Sequence, residues 1–303
     1  MVKYTLRQLA YFVAAAERAS IAEAARVLNV SQPSVSSAIT KLEDIFGVQL
    51  LLRHHAQGVT PTHAGETLLE EARRLLTHAD ELGEHALDLG ENIRGRLEVG
   101  CLLTMSALCM PSLIMAFARE FPSVDIHLFE GHREALVHGL ETGRLDVALV
   151  YDIDTGPQYE VQPLASLRPY ALLPAGHPLT TKAQVTLAEL AAEPMVLLDI
   201  PPSRDYLVGM FRSAGLTPLM RHESPSFETV RGMVANGAGY SVLVIRPSSD
   251  VAYDGMPIEV RPIADDVQPV RIALLRLARL RPTRLSRTFS SFCGPFFANR
   301  FPH

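Results

Sequence analysis

Cysteine is scarce in this chain of 303 residues. The three copies, Cys101, Cys109 and Cys293, form no CxxC pair, which argues against a disulfide framework or a zinc-finger module and fits a reducing compartment. The expected location is the cytoplasm. An excess of either charge is also missing: 28 Lys and Arg stand against 33 Asp and Glu, a net −5. The chain as a whole is therefore neither a polybasic nucleic-acid coat nor an acidic tail protein, and any contact with DNA must be local. The GxSxG elbow, the GxGxxG loop and the Walker A sequence are absent, so hydrolase, dinucleotide and NTPase readings lack their anchors, and neither a catalytic residue nor a cofactor is expected. The first twenty residues lack the uninterrupted apolar core of a secretory signal, because Arg7, Glu17 and Arg18 break it. One uncharged run, Val99 to Ala118, is long enough to span a bilayer. Gly100, Thr104, Ser106, Pro111 and Ser112 interrupt it, and a strand followed by a helix reads it better. No membrane partner is expected.

What is present is ample apolar material, 48% of the residues, and a length that suits two or three domains. Charge is distributed unevenly. The first sixty residues carry six basic against four acidic side chains, and the remainder 22 against 29, so the basic excess sits at the front.

Within that front segment Leu6, Leu9, Phe12, Val13 and Ala16 recur at helical spacing. Ala22, Ala25 and Leu28 form a second short face after a Ser20 N-cap, and Asn29 suits the left-handed turn that ends a helix. Ser31 then suits the N-cap of a third helix, with Pro33 tolerated in its first turn. Val35, Ala38, Ile39, Leu42 and Phe46 share one side of it, leaving Pro33, Ser36, Ser37, Thr40 and Lys41 on the other. A helix, a short turn and a helix with a small, polar, basic face is the helix-turn-helix arrangement, whose second helix enters the major groove. Periodicity alone fits a three-helix packing unit with a solvated face equally well.

From Thr62 the seam Leu68, Ala72, Leu75, Ala79, Leu82, Ala86 and Leu89 follows a 4, 3 spacing over three repeats, which predicts a long helix, Thr62 to Leu89, that pairs with its own copy. An ordinary amphipathic helix packed on its own chain is the alternative. Beyond it, short apolar segments alternate with helical ones: Arg96 to Cys101, Val124 to Glu130, Asp146 to Val150, Tyr170 to Leu173, Met195 to Leu198, Tyr240 to Val244, Ile258 to Val260 and Ile272 to Leu277 read as strands. That alternation predicts an α/β unit with a largely parallel sheet. Stretches rich in Pro and Gly around Pro157 to Pro163 and Pro262 to Pro269 are expected to be crossovers between two subdomains, with a ligand cleft between them.

Leu6-Arg7-Gln8-Leu9 with Phe12, Ala24-Ala25 with Leu28, Ser31-Gln32-Pro33-Ser34-Val35-Ser36, Ile39 with Leu42-Glu43, Gly47 with Leu50, Arg53, and Thr62 with Ala64-Gly65 occur in order. With these motifs the chain resembles the LysR-type transcriptional regulators over essentially its whole length. The resemblance implies an N-terminal winged helix-turn-helix (1–61), a linker and dimerisation helix (62–92) and a periplasmic-binding-protein-like effector domain (93–303). Subdomain I of the last would take about 93–163 and 268–303, and subdomain II about 164–267. The implied partners are double-stranded DNA, a small-molecule effector, further copies of the chain in a homodimer or homotetramer, and RNA polymerase. The wing departs from the family pattern: Leu50-Leu51 stands for the common Leu-Phe pair, and Gln57 where many members carry a second Arg.

By that pattern Gln32, Pro33, Ser34, Ser36 and Ser37 lie at or near DNA, with Thr40 and Lys41 on the same helix face and Arg53 on the wing. Gln32 can pair bidentately with adenine, serines can reach bases or phosphates, and Arg53 can neutralise backbone charge. The segment Thr104-Met105-Ser106 borders the effector in the family, and His132, Arg133, Ser203, Arg204 and Phe227 are similarly placed, after strands or at helix starts. Hydroxyls and amides there favour an anion, so a small organic acid is expected. The histidine clusters His54, His55, His63 and His127, His132, His138 lack a ligand set at metal spacing, and no metal is expected. A redox switch at Cys101 and Cys109 competes with their reading as small buried hydrophobes. The seven arginines between Arg271 and His303, with no acid among them, are assigned to surface or oligomer packing rather than to a second DNA contact.

Overall fold

A computed structural model describes residues 3–54, 58–87 and 93–301, without the side chains of 80–87. The chain divides into two compact units, Met1–Asn92 with His138–Leu145, and Ile93–Val137 with Asp146–His303.

In the first unit Thr5 and Gln8 satisfy each other's amides in a capping box that starts α1, Leu6–Glu17. Leu9, Phe12 and Ala15 are the residues α1 buries. Leu6 is 46% exposed, so the stripe is displaced from the predicted one. Ser20 caps α2, Ile21–Val27, and Asn29 takes the expected left-handed conformation at φ 54°. Ser31 caps α3, Gln32–Phe46, which ends at Gly47 with φ 69° and buries Val35, Ile39 and Leu42. The wing is an antiparallel pair, β1 (Leu51–His54) and β2 (Gly58–Pro61). It is tied to α3 by Glu43, whose Oε1 accepts from the amides of Leu50 and Leu51 at 2.9 and 3.2 Å.

Helix α4, His63–Leu87, starts where the Thr62 hydroxyl accepts from the Gly65 amide at 3.0 Å and donates to the Gln49 carbonyl at 2.7 Å. Gly65 permits that closeness, because a Cβ there would sit 2.0 Å from the Leu50 carbonyl oxygen. The seam expected on α4 is only partly free. Ala72 is 2% exposed inside the core of α1–α3, with Leu68 packed against that core. The first turns of α4 thus belong to the winged unit, whose apolar face they cover, and Ala72 is unavailable to a partner. Leu75 is 40% exposed and Ala79 half-buried. The side chains of Leu82 and Ala86, and all of Leu89, lie outside the described residues.

The second unit opens with β3 (Gly95–Leu102), α5 (Leu103–Glu120), β4 (Val124–Gly131), α6 (Arg133–Glu141), whose residues from His138 on are grouped with the first unit, β5 (Val147–Tyr151) and β6 (Tyr159–Leu167). Then follow β7 (Tyr170–Pro174), α7 (Leu187–Ala191), β8 (Pro194–Leu198), α8 (Ser203–Ser213), β9 (Leu219–Ser224) and α9 (Phe227–Ala235). It closes with β10 (Ser241–Leu243), β11 (Ile258–Pro262), β12 (Val270–Leu277) and α10 (Arg284–Arg300). The uncharged run from Val99 therefore splits between β3 and α5. No helix among the described residues is long and apolar enough to cross a membrane.

One sheet has the order β4-β3-β5-β12-β6; the remaining strands form β8-β9 and β10-β7-β11. Among the named strands of the described residues β3 pairs in parallel with β4 and β5, and β8 with β9, whereas β12 runs antiparallel to β5 and β6, and β7 to β10 and β11. The expected largely parallel sheet is thus found only in part: the five-stranded sheet is mixed, because β12 runs against β5 and β6, the β8-β9 pair is parallel and the β10-β7-β11 sheet antiparallel. Strand β6 occupies much of the Pro- and Gly-rich stretch Pro157 to Pro163 that is expected to be a crossover, and it includes Pro163. It tolerates that proline at a sheet edge, where the register against β12 shifts between Ile272 and Ala273. The five-stranded sheet consequently runs to Leu167, past the boundary drawn at 163. Strand β9 escaped notice because five of its six residues are exposed, so it has no apolar alternation. The arginines near the C-terminus are largely committed locally, Arg271 to Asp152 at 2.6 Å, Arg276 to Glu160, and Arg300 to the Leu108 carbonyl at 2.6 Å.

Candidate functional site

Two sites follow from this architecture, one in each unit. In the first, Gln32, Pro33, Ser34, Ser37, Thr40 and Lys41 are exposed on α3, while Ser36 is half-buried. Ser34 has its amide and hydroxyl on the Ser31 cap, at 3.3 and 2.7 Å, so its freedom to reach a base is smaller than that of Ser37. Pro33, Ser34, Ser37, Ala38 and Lys41 line a shallow surface concavity with Gln8 of α1, whose side chain also closes the α1 capping box. Arg53 is exposed on β1 and its guanidinium reaches the Thr40 hydroxyl at 3.5 Å, which places the wing cation beside the polar face of α3. His55 and Gln57 lie outside the described residues. Small side chains on an exposed helix, flanked by Lys41 and Arg53, offer backbone approach and phosphate neutralisation together.

In the second unit a cavity of about 350 Å³, counting space open to solvent, lies where β5, β8, β10 and β12 meet the starts of α5, α8 and α9. This is the carboxyl-end position at which open α/β sheets receive ligands. Thr104, Ser203 and Phe227 line it, each within the first two residues of its helix. Around them lie Tyr151, Ile153, Leu198, Tyr206, Leu207, Leu243, Val244, Ile245 and Val270. The starts of α5 and α8 have no side-chain cap; in α8 the Arg204 amide already donates to the Ile200 carbonyl at 3.0 Å, so the start of α5 is the better placed to meet another acceptor.

The other expected contacts fall elsewhere. Met105 is fully buried in the core and Ser106 is 1% exposed, because both point inward from α5. His132 is exposed and does not line the cavity. Arg133 donates to the carbonyls of Tyr151 at 3.0 Å and Asp154 at 3.4 Å and to the Thr155 hydroxyl at 3.2 Å, so it braces the cavity wall from behind. Arg204 is paired with Asp199 at 2.5 Å and Glu223 at 3.4 Å, and those carboxylates raise its already high pKa. No charged side chain is among the described residues lining the cavity. Removing a carboxylate from water without a cation costs several kcal/mol. A helix start returns roughly 0.3–1 kcal/mol, and up to about 2 in favourable geometry.

Tyr151 was missed, although it directly follows a segment read as a strand and the rule used for the other contacts would have selected it. Arg231, also missed, is 2% exposed. It pairs with Glu228 at 3.0 Å, lies 5.9 Å from the centre of the Phe227 ring, and donates to the carbonyls of Ser249 and Val251 at 3.0 and 2.9 Å. It thereby fixes one wall of the cavity. The Tyr206 hydroxyl is spent on the Gln268 carbonyl at 2.5 Å.

All three cysteines are buried and reduced. Burial pushes Cys109 up to about 11 and Cys293 to about 12, and raises Cys101 well above the ordinary thiol range. Among the described residues no group of three or more His, Cys, Asp or Glu could hold a metal ion.

A winged helix-turn-helix followed by a two-subdomain α/β unit with a cleft defines a ligand-responsive DNA-binding regulator. Residues 6–66 match the bacterial regulatory helix-turn-helix protein, lysR family, and residues 90–298 match the LysR substrate binding domain. The chain belongs to the LysR family of DNA-binding transcriptional regulators, which are not enzymes. It is 34% identical over 239 residues to a hydrogen peroxide-inducible genes activator of Pectobacterium carotovorum subsp. carotovorum, covering 78% of this chain and 79% of that one. HinK, a LysR family transcriptional regulator from Pseudomonas aeruginosa, is 42% identical over 97% of this chain and 99% of its own, with a TM-score of 0.67. Full-length CbnR complexed with its target DNA is 25% identical over 97% of this chain and 100% of its own, with a TM-score of 0.65.

Proposed function

We propose that this regulator is controlled by a small organic molecule held in the cleft lined by Thr104, Ser203 and Phe227, and that it reads DNA with Gln32, Pro33, Ser37, Thr40 and Lys41 of α3 and with Arg53. The observation that carries the proposal is the narrow, largely apolar cleft, partly open to solvent, at the carboxyl ends of β5, β8 and β10, with the starts of α5 and α8 beside it. The organic acid expected from the sequence loses its two arginines, both committed elsewhere. What remains is a ligand with an apolar body and a hydrogen-bond acceptor at one end.

The chain acts as a homo-oligomer in the cytoplasm, paired through the exposed part of α4, and RNA polymerase is the machinery it addresses. The likeness to peroxide-inducible activators raises peroxide as a signal. Three buried thiols kept protonated do not supply the thiolate that peroxide chemistry needs.

Ser37→Glu tests the DNA reading, since it places a carboxylate on the exposed face of α3 toward the phosphates without touching the core. The expected result is loss of the gel shift with an intergenic duplex and an unchanged melting temperature. Unchanged affinity would remove this face from the interface.

A further inference from the structure

We propose that the Tyr151 hydroxyl is the specificity-determining anchor of the cleft and that it selects an uncharged oxygen acceptor, a carbonyl or ether-like oxygen, on an apolar body. The inference rests on the reading of this cleft as the effector site.

Tyr151 ends β5, is 2% exposed, and lines the cavity. Among the described residues its buried hydroxyl makes no well-formed hydrogen bond; the Thr104 side chain is the hydrogen-bonding neighbour it faces in the cleft. A buried hydroxyl left unpaired is destabilising unless something arrives to receive it. Burial raises the phenol far above its ordinary range, so it stays a neutral donor at every physiological pH. An acceptor placed against it also meets the uncapped start of α5 at Thr104. Arg133 holds the Tyr151 carbonyl at 3.0 Å, which anchors the backbone from which the ring projects. With no cation among the described residues that line the cleft, a neutral oxygen enters more easily than a carboxylate, and Ile153, Ile245 and Phe227 receive the body.

The test uses the full chain with labelled isoleucine methyl groups, because Ile153 and Ile245 both line the cleft and report occupancy by NMR. Three probes of one shape separate the chemistry: acetophenone with a neutral carbonyl, benzoate with a carboxylate, and ethylbenzene with neither. Acetophenone is expected to bind tightest, and Tyr151→Phe should weaken it roughly two- to tenfold, the worth of one neutral hydrogen bond. The same change should leave ethylbenzene unaffected and the ligand-free melting temperature equal or higher.

Benzoate binding tightest would overturn the neutral-ligand assignment. Acetophenone no better than ethylbenzene, or a lowered melting temperature in Tyr151→Phe, would remove Tyr151 as the anchor while leaving the cleft a ligand site. If no probe moves the Ile153 and Ile245 signals at millimolar concentration, the cleft itself fails as an effector site and the inference falls with it.

Discussion

Replacing Lys41 and Arg53 by alanine isolates the electrostatic part of DNA binding. Both side chains are exposed, and Arg53 has only a long contact of 3.5 Å to the Thr40 hydroxyl. Folding stability should consequently move by no more than about 0.5 kcal/mol. Binding should move far more. Each phosphate neutralised on B-DNA contributes about 0.9 to the slope of log K against log salt, which at about 0.1 M salt corresponds to roughly eightfold in affinity. The double variant should lose about sixtyfold per bound chain at that salt, and its slope should become shallower by about 1.8. Fluorescence anisotropy with a random-sequence duplex over about 50 to 200 mM salt measures both quantities, since phosphate contacts do not depend on sequence. A parallel line, with affinity lost but slope retained, would refute the assignment and show these side chains acting by shape or by base contact.

Leu75→Asp with Leu82→Asp should lower the oligomer mass in light scattering without unfolding the winged unit, whereas Ala72→Asp, buried in that unit's core, should unfold it; a parent mass for the first variant would count against pairing through α4. Gly65→Ala should cost about 1–3 kcal/mol of the winged unit's stability, because the added Cβ would meet the Leu50 carbonyl oxygen at 2.0 Å, and an unchanged denaturation midpoint would contradict that contact. The folded chain keeps its Cys109 and Cys293 protons up to about 11 and 12, while unfolded thiols release theirs near 8.5. Stability should fall as pH rises through that window, and Cys109→Ala with Cys293→Ala should flatten the fall between roughly pH 8 and pH 10. Equal losses in parent and variant would exclude Cys109 and Cys293 as its source.

The first unit was more legible in the sequence than the second, for reasons visible at single residues. Its helices carry capping residues of the kind that act locally: Ser20 and Ser31 each accept from an amide three residues on, and Gly47 adopts the left-handed conformation that ends α3. Even the motif residues that looked arbitrary have local work, Glu43 on the Leu50 and Leu51 amides and Thr62 between Gln49 and Gly65. In the second unit the decisive relations are long-range. Nothing near Pro163 indicates that it will lie opposite a register shift in β12. The fate of Arg133 depended on carbonyls 18 and 21 residues away. Thr104, Ser203 and Phe227 were reachable because a helix start is a local event, but apolar lining such as Val244, Ile245 and Val270 gives no chemical signal before the chain is folded.

The embedding of the first turns of α4 in the winged core sets the torsional behaviour of the helix. Leu69 and Ala72 are fixed in that core, and Arg73 is bonded to Glu17 of α1 at 2.9 Å, so no swivel can operate between α3 and the start of α4. The reading head and the near end of the helix turn as one piece, and the azimuth of α3 about the α4 axis is set by helical phase. One residue inserted beyond Leu76 would rotate the head by about 100° and four residues by about 40° past a full turn. Phase along this helix, as much as side-chain chemistry on α3, therefore determines which way the DNA-facing surface points.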